Sequence, residues 1–421
     1  MSGNSSVPAN LLQTVQTYQL SGLAAMQNFG FFLSKFSKKF KNFQNEEANL
    51  GSTVTFDLPP RATTVDSLVA DFQPADQRVQ PLTVNNEISS SYAFTAQQFI
   101  FNIKNYEDRF VMSSAREMGT KVEARIARLA VTNTYRFFGN GITAINNPTQ
   151  LAEAMAMYRD YGAIEGEAMG VLPLVSIPAI VGGGLAQFAM ERNNKLANSW
   201  ELPAFADCDW NRSNLLPVHV AGTAGNSALT LTVVSVTNNG PNSAVDTITF
   251  SVSGAPGVDV NMIKQFDKLQ FKDSVGSFAD MRYLTFVGHQ VSENPVQFQA
   301  TGNAASSGGS QVTVSVYPYL QALPTNEQNL NQQIQVGMQV TVLPSHRAGL
   351  IMARDSGFLA MPQLPVEVPY PTGNKIDPNT GASFRAYYGS QLGKNVRGLI
   401  NDGIYGATLV PEDAMMIAFP V

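Results

Sequence analysis

The sequence predicts an α+β protein in which an all-β domain is inserted into a mixed lobe. Residues 105–138 have the periodicity of one long helix, and residues 222–343 contain short alternating runs rich in β-branched residues. Mixed strand and helix patterns occupy 170–220 and 346–421, on either side of the all-β segment. We therefore expect the all-β segment to be an insertion whose two ends lie close together.

The composition predicts a surface that is largely covered by other molecules. Only 14% of the 421 residues are charged, whereas 44% are hydrophobic, and a soluble domain usually has about 25% charged residues. So few charges solvate a large surface poorly, which indicates packing against further copies or partners. The net charge of −5 excludes nucleic-acid binding held by overall positive charge, but it permits a local basic patch.

Residues 1–50 are predicted to form a helical N-terminal arm. Five phenylalanines at three- and four-residue spacing would share one helix face: Phe29, Phe32, Phe36, Phe40 and Phe43. Four lysines lie among them: Lys35, Lys38, Lys39 and Lys41. Such a helix fits a membrane surface, an acidic partner, a neighbouring subunit, or simple docking by its phenylalanine face.

Residues 51–103 are predicted to form a projecting hairpin. Val54, Phe56 and Leu58 alternate before a Pro-Pro pair, and 81–101 is again extended. The polar tract Arg61–Gln80 between these arms is too long for a tight turn, and long loops of this kind are usually functional or disordered. We mark its charged residues as candidate contacts between subunits, together with Phe36, Phe40 and the four lysines of the arm: Arg61, Asp66, Asp71, Asp76 and Arg78.

Two helices are predicted after the hairpin. The first, Asn105–Phe138, has an apolar three-four repeat, would span about 50 Å, and ends at a Gly-Asn-Gly stop signal. The second is Thr149–Tyr161, directly after a proline. The mixed segment that follows reads as a strand at 171–178, a helix near Ala186–Leu196 and a strand at Pro217–Val220.

Membrane and secretory segments are not expected. The N-terminus lacks the pattern of a signal peptide. The stretch Val171–Met190 carries no charge, but two prolines and the run Gly182–Gly184 interrupt it. A buried strand followed by a loop and a helix explains this stretch better than a membrane span.

The all-β segment predicts a sandwich or a barrel. Its alternating runs are separated by Asn-, Gly- and Pro-containing turns and lie at 229–236, 246–252, 268–273, 283–288, 311–316 and 339–343. Residues 263–271 and 334–342 resemble each other, and each reads as a turn that leads into a strand. Further strands are predicted near 384–389 and 415–421.

The sequence contains no recognisable catalytic or metal-binding pattern. His219, His289 and His346 stand in no metal-ligand spacing, and the glycine run lacks the lysine of a phosphate-binding loop. Cys208 is the only cysteine, which excludes an internal disulfide. Its neighbours Asp207 and Asp209 would raise the pKa of the thiol. We expect no enzyme activity, no cofactor and no metal.

Three stretches carry a resemblance to a known family. They are FADCDWNRSNLLPVHVAG (205–222), the pair of strands 268–271 and 339–342, and AGLIMARDSGFLAMPQLP (348–365). In their order along the chain they resemble the major capsid proteins of tailed bacteriophages with the Hong Kong 97-like fold, and more narrowly the coat proteins of short-tailed Salmonella-type phages with an inserted β-barrel.

The resemblance implies six segments. These are an N-terminal arm (1–50), an extended loop hairpin (51–103), a peripheral domain with a long spine helix (104–169), the first part of an axial domain (170–221), an inserted β-barrel (222–345), and the rest of the axial domain with returning peripheral strands (346–421). In the third stretch, the resemblance implies a strand, a helix and a loop.

The resemblance also implies the partners. The subunit would form hexamers and pentamers of a shell assembled in the bacterial cytoplasm, with a separate scaffolding protein and a portal protein. It would contact packaged double-stranded DNA weakly, could bind a decoration protein, and would not enter a membrane. We hypothesise that Lys35, Lys38, Lys39 and Lys41 face scaffolding protein or DNA.

Other classes remain open at the level of sequence. An encapsulin-like cellular compartment shares the fold and would enclose a cargo enzyme instead of a genome, although the inserted β-domain favours a virus. A β-rich adhesin or tail component fits the strands but not the long helix. An enzyme is the least supported class, because no site is apparent.

Overall fold

The computed structural model describes residues 19, 30–36, 53–58, 78–95, 112–162, 167–182, 202, 204–254, 258–273, 279–285, 288–306, 310–366, 372–374, 382–390 and 396–421. The chain divides into two compact units. The first unit comprises 1–56, 79–129 and 355–409, and the second comprises 57–78, 130–354 and 410–421.

The described helices are one long helix, one of intermediate length and three short ones. They are α1 (Phe31–Lys35), α2 (Met112–Asn133), α3 (Pro148–Asp160), α4 (Ile177–Ile180) and α5 (Thr223–Asn226). The apolar repeat of α2 is buried at Ala115, Met118, Val122 and Ile126, as its periodicity predicts. At its N-terminus α3 has a capping box. The Asn147 side chain accepts from the Thr149 amide, and the Gln150 side chain accepts from the Asn147 amide.

The predicted long helix is wrong at its C-terminal end. Helix α2 is described from Met112 and ends at Asn133, before the predicted end at Phe138. Residues Phe137–Phe138 form a strand, β4, that pairs with the C-terminal strand. Pairing of these two residues in a sheet satisfies their backbone groups and ends the helix before the glycine signal. The predicted start, 105–111, lies outside the described residues.

In the first unit, one antiparallel sheet forms around a 14-residue strand, β20 (Val396–Leu409). Strand β3 (Asn86–Thr95) pairs with it over ten residue positions. The other strands of this sheet are β17 (Gly357–Ala360), β18 (Thr372–Gly373) and β19 (Arg385–Ser390). Strands β1 (Thr53–Leu58) and β2 (Arg78–Thr83) form a separate pair. The predicted second arm of the hairpin, 81–101, differs in that its strand β3 pairs with β20 rather than with β1.

In the second unit, a six-stranded sheet collects strands from both sides of the predicted insertion. Its order is β4–β21–β16–β5–β6, and β7 also pairs with β16. The bounds are β5 (Ala168–Pro173), β6 (Cys208–Ser213), β7 (Val218–His219), β16 (His346–Ala353) and β21 (Ala414–Pro420). Strand β16 is buried from Ala348 through Met352, as expected for a central strand covered on both faces.

A closed six-stranded barrel, also in the second unit, is formed by the middle of the chain. Its order is β10–β13–β14–β9–β8–β15. The bounds are β8 (Thr230–Thr237), β9 (Val245–Val252), β10 (Lys268–Phe271), β13 (Gln297–Ala300), β14 (Gln311–Leu320) and β15 (Gln339–Val342). A small hairpin, β11 (Arg282–Leu284) with β12 (Val291–Pro295), is attached. All of these strands lie inside the predicted insertion, 222–345.

The ends of the insertion are adjacent, as predicted. Strand β7 precedes the barrel and β16 follows it, and the two pair directly, with His219 opposite His346. The Ser345 hydroxyl accepts from the Ala221 amide at 3.0 Å, which joins entry and exit a second time. The chain therefore leaves the sheet and returns to it at one place.

Two further expectations meet different outcomes. The helix implied within 348–365 is wrong, because strands β16 and β17 account for its two apolar runs. The helix predicted near Ala186–Leu196 lies outside the described residues. Strand β6, which the sequence did not reveal, pairs in parallel with β5.

Candidate functional surfaces

Most of the predicted contact residues lie outside the described part of the chain. These are Lys38, Lys39, Phe40, Lys41, Arg61, Asp66, Asp71 and Asp76. The structure describes three of them: Lys35 and Phe36 belong to the first unit, and Arg78 belongs to the second.

Phe36 is a core residue of the first unit. Its side chain is 2% exposed, meets Phe32 edge to face at 5.6 Å, and packs so closely on Gly357 that a Cβ there would lie 2.5 Å from its ring. This burial leaves little of the ring for a neighbouring subunit. Lys35, in the last turn of α1, is half-buried.

Helix α1 is held to α2 by one buried carboxylate. Glu123, 1% exposed, accepts from the backbone amides of Phe32 at 2.8 Å and Leu33 at 2.9 Å. These amides lie in the first turn of α1, where a helix has no internal partners for its N–H groups and favours negative charge. The contact fixes part of the N-terminal segment on the long helix within the first unit.

Arg78 makes ion pairs within the second unit. Its guanidinium donates to the Glu412 carboxylate, and its Nε lies 3.7 Å from Glu327 Oε1. Glu327 belongs to the inserted segment, and Glu412 precedes the last strand of the six-stranded sheet. Arg78 therefore joins two parts of its own chain.

The outer face of the barrel is buried where it meets the end of α2. Along β10 and β13 the apolar side chains point into the barrel core, and four polar ones lie on the outer face: Lys268, Gln270, Gln297 and Gln299. The Lys268 ammonium is 3.3 Å from the Val131 carbonyl and also contacts the Thr134 carbonyl and Gln299 Oε1. A cation at a helix C-terminus satisfies carbonyls that have no helical partner. Burial lowers the pKa of Lys268 to about 7.

Gln297 holds the edge of the six-stranded sheet. Its amide oxygen accepts from the Phe137 amide at 2.9 Å, and its amide nitrogen donates to the Phe137 carbonyl at 2.7 Å. One side chain of the barrel thus replaces a neighbouring strand along β4. Without it, both backbone groups would be buried and unpaired.

The entry and exit of the insertion form a buried polar cluster. The Asp267 carboxylate, 0% exposed, accepts from the Gly222 and Lys264 amides at 3.0 and 2.8 Å and lies 2.7 Å from His219 Nε2. The rings of His219 and His346 are 5.4 Å apart. Burial lowers the pKa of His346 to about 4, so this imidazole is neutral at pH 7. These groups anchor the insertion.

The predicted turn repeat is present in the barrel. In each copy an amide donates to a carbonyl three residues earlier, Asp267 to Lys264 and Met338 to Gln335. Phe266 and Gly337 hold the same left-handed position, with φ of 69° and 97°. The strands that follow, β10 and β15, pair with each other.

Neither a metal-ligand cluster nor an activated cysteine is present among the described residues. No group of three or more histidine, cysteine, aspartate or glutamate side chains among them could hold a metal ion. Burial, and to a lesser degree the nearby Asp209 carboxylate, raises the pKa of the Cys208 thiol well above its usual range. The raised pKa disfavours the reactive thiolate. No helix in the described part of the chain is long and apolar enough to cross a membrane.

Comparison with known proteins gives structural matches only. No family model and no curated protein sequence matches the chain. The capsid of Ralstonia phage GP4 is 9% identical, with 93% of this chain and 91% of that chain covered at a TM-score of 0.44. The capsid of cyanophage P-SCSP1u is 8% identical, with 92% of this chain and 86% of that chain covered at a TM-score of 0.43. A virus-like particle from Pyrococcus furiosus is 6% identical, with 96% of this chain and 99% of that chain covered at a TM-score of 0.40.

Proposed function

We propose that this chain is the major capsid protein of a tailed bacteriophage. It forms the hexamers and pentamers of an icosahedral shell that encloses double-stranded DNA. The observation that carries the proposal is the order of parts within one chain. Along the chain, a docked N-terminal helix comes first. It is followed by a strand pair on either side of a long polar tract, by a long helix, and by a sheet that a closed barrel interrupts, as the sequence resemblance implies.

The composition supports the same role. A subunit with 14% charged residues has a surface that suits contact with other copies better than contact with water. Apolar side chains are exposed on the second unit at Val175, Val258 and Val260, each at least 69% exposed. In a closed shell, heterologous contacts between identical subunits would cover such positions.

Each described part has a structural task in this proposal. The barrel braces its own subunit, because Lys268 and Gln297 satisfy the backbone at the end of α2 and at β4. Under the proposal, the hairpin at 51–103 lies across a neighbouring subunit, and the lysines of the N-terminal arm face scaffolding protein or DNA. A separate scaffolding protein, a portal protein and a decoration protein are further partners under the proposal, and the role is structural rather than catalytic.

Negative-stain electron microscopy of the expressed chain tests the proposal. We expect closed shells of uniform diameter when the neighbouring genes supply a scaffolding protein, and spirals or free subunits when the chain is expressed alone. Uniform empty shells from the chain alone would instead indicate an encapsulin-like compartment. Soluble monomers under every condition would contradict any assembly role.

A further inference from the structure

The exposed face of the long helix carries an excess of positive charge. Arg116, Lys121, Arg125 and Arg128 all lie at exposed positions of α2, and Glu117 is the only exposed acid within the described range of this helix, 112–133. The chain as a whole has a net charge of −5, so the charge of this face is opposite in sign to that of the whole chain. A local cluster of one sign of charge indicates a binding surface for the opposite sign.

Three of these cations form a row. Lys121, Arg125 and Arg128 follow at four- and three-residue spacing, which places them on one stripe of the helix about 10 Å long. Arg125 is held in place, because its Nη1 lies 3.3 Å from both the Glu87 carbonyl and the Tyr405 hydroxyl. Among the described residues, neither Lys121 nor Arg128 has an ion-pair partner. Their charges remain available to another molecule.

The rest of this face lacks the features of a protein-binding surface. Among the described residues, none of the large hydrophobic side chains that are exposed belongs to α2. The residues Thr120 and Ala124, which lie between the cations, are small. Protein interfaces depend on buried aromatic and apolar anchors, whereas a phosphate backbone is bound by cations and is approached closely over small side chains.

We propose that this face of α2 is a binding surface for the phosphate backbone of double-stranded DNA, with Lys121 and Arg128 as the main contacts. The inference rests on the proposed function, because a shell subunit meets DNA on its inner wall. Two or three phosphate contacts per subunit are independent of base sequence. They also bind weakly and dissociate in salt, which suits a wall that must release its genome.

The test measures binding of a fluorescently labelled 30-base-pair duplex by unassembled full-length protein, as anisotropy over a series of salt concentrations. The variant combines Lys121→Gln and Arg128→Gln. Because each phosphate contact contributes about −0.9 to the slope of log affinity against log salt, we expect this slope to become shallower by about 1.8. The matched control, Arg212→Gln with Lys272→Gln, removes two exposed cations of the second unit and should retain the wild-type slope.

Three outcomes would overturn the inference. The double variant could bind DNA with the wild-type slope. The slope of the control could instead become as shallow as that of the variant, which would indicate that DNA binding depends on overall charge and not on this face. Alternatively, only binding of polyglutamate could fall, which would indicate an acidic protein partner. Circular dichroism and thermal unfolding verify that each variant is folded. Electron microscopy separates the two proposals, because normal shells with unchanged DNA binding would contradict this inference alone.

Discussion

Gly337 and Phe266 occupy equivalent positions in two similar turns, and only one of them is a glycine. Both have a left-handed backbone, which glycine adopts freely and other residues adopt at a cost of about 1–2 kcal/mol. We predict that Gly337→Ala lowers the free energy of unfolding by about 1–2 kcal/mol, measured by urea denaturation. Phe266 already bears this cost in the first turn.

Gly302 provides the control for this substitution. A Cβ at Gly302 would meet nothing within 4 Å, and its backbone is not left-handed. Gly302→Ala should therefore leave stability unchanged or raise it slightly. If Gly337→Ala and Gly302→Ala had equal effects, backbone strain would not explain the position.

Lys268 makes stability depend on pH between 7 and 9. Its folded pKa of about 7 lies below the ordinary value of 10.5, so the unfolded chain binds more protons in this window and stability rises with pH. Because the amine is completely buried, we expect the free energy of unfolding to rise by roughly 2 kcal/mol from pH 7 to pH 9. We predict that Lys268→Met removes this rise, measured by urea denaturation at both values.

The nearby residue Lys272 is the matched control. It is exposed, so Lys272→Met should retain the wild-type dependence on pH. Other groups face Lys268 from the elements packed on it, namely Asp267 and His346. The pKa of His346 is already far below this window. A pH dependence that persisted in Lys268→Met would assign it to a different group.

Little of this junction could be predicted from single residues. Lys268 stands beside an alternating strand pattern and reads as an ordinary solvated lysine, because its partners Val131 and Thr134 are more than 130 positions away. The available signal was the neutral polar character of Gln270, Gln297 and Gln299 on an outer strand face. Charged residues are usual on a solvated face, so uncharged amides indicate a buried one.

At the scale of elements, one carboxylate of α2 binds two backbone amides of α1. Glu123→Gln keeps the shape of the side chain but places a donor opposite one of the two amides that it binds. A buried amide that loses its acceptor costs about 1–3 kcal/mol. We predict faster hydrogen exchange at residues 31–36 in this variant, measured by mass spectrometry.

Glu117→Gln is the control, because Glu117 lies on the exposed face of the same helix. It should leave exchange at residues 31–36 unchanged. Equal exchange in wild type and Glu123→Gln would show that the phenylalanines, not the carboxylate, hold α1. The phenylalanine spacing predicted the docked face at Phe32 and Phe36, but it gave no information about Glu123.

Periodicity predicted elements well where packing follows the local pattern. The alternating runs gave β8, β9, β14 and β15, and the three-four repeat gave the core of α2. Strand β6 was missed because its sequence, CDWNRS, mixes charged and apolar residues without clear alternation. The end of α2 was missed because β4 forms only by pairing with β21, almost 280 residues later. Long-range pairing of this kind leaves no local signal.

For the whole molecule, the insertion and the sheet that receives it form one compact unit. They share the His219–His346 pairing, the Asp267 cluster and the contacts of Lys268 and Gln297 with the backbone of 131–137. A domain attached only at its two ends would unfold independently. The buried contacts on the barrel surface instead couple the two parts.

Gln297→Ala should weaken this coupling without opening the barrel. The substitution removes both partners of the Phe137 backbone, which we expect to cost about 2–3 kcal/mol. The barrel core, which includes Phe250 and Phe298, is not altered. We predict faster hydrogen exchange at 130–138 and 414–421, while β9 and β14 keep their protection.

The control for this experiment is Gln265→Ala at an exposed position of the same barrel, and it should match wild type throughout. Exchange that rose first in β9 and β14 would mean that Gln297 supports the barrel itself. Exchange that rose nowhere would mean that other contacts suffice to join the two parts. The expected pattern would instead show that the barrel supports the edge of the six-stranded sheet at β4 through one side chain that replaces a missing strand.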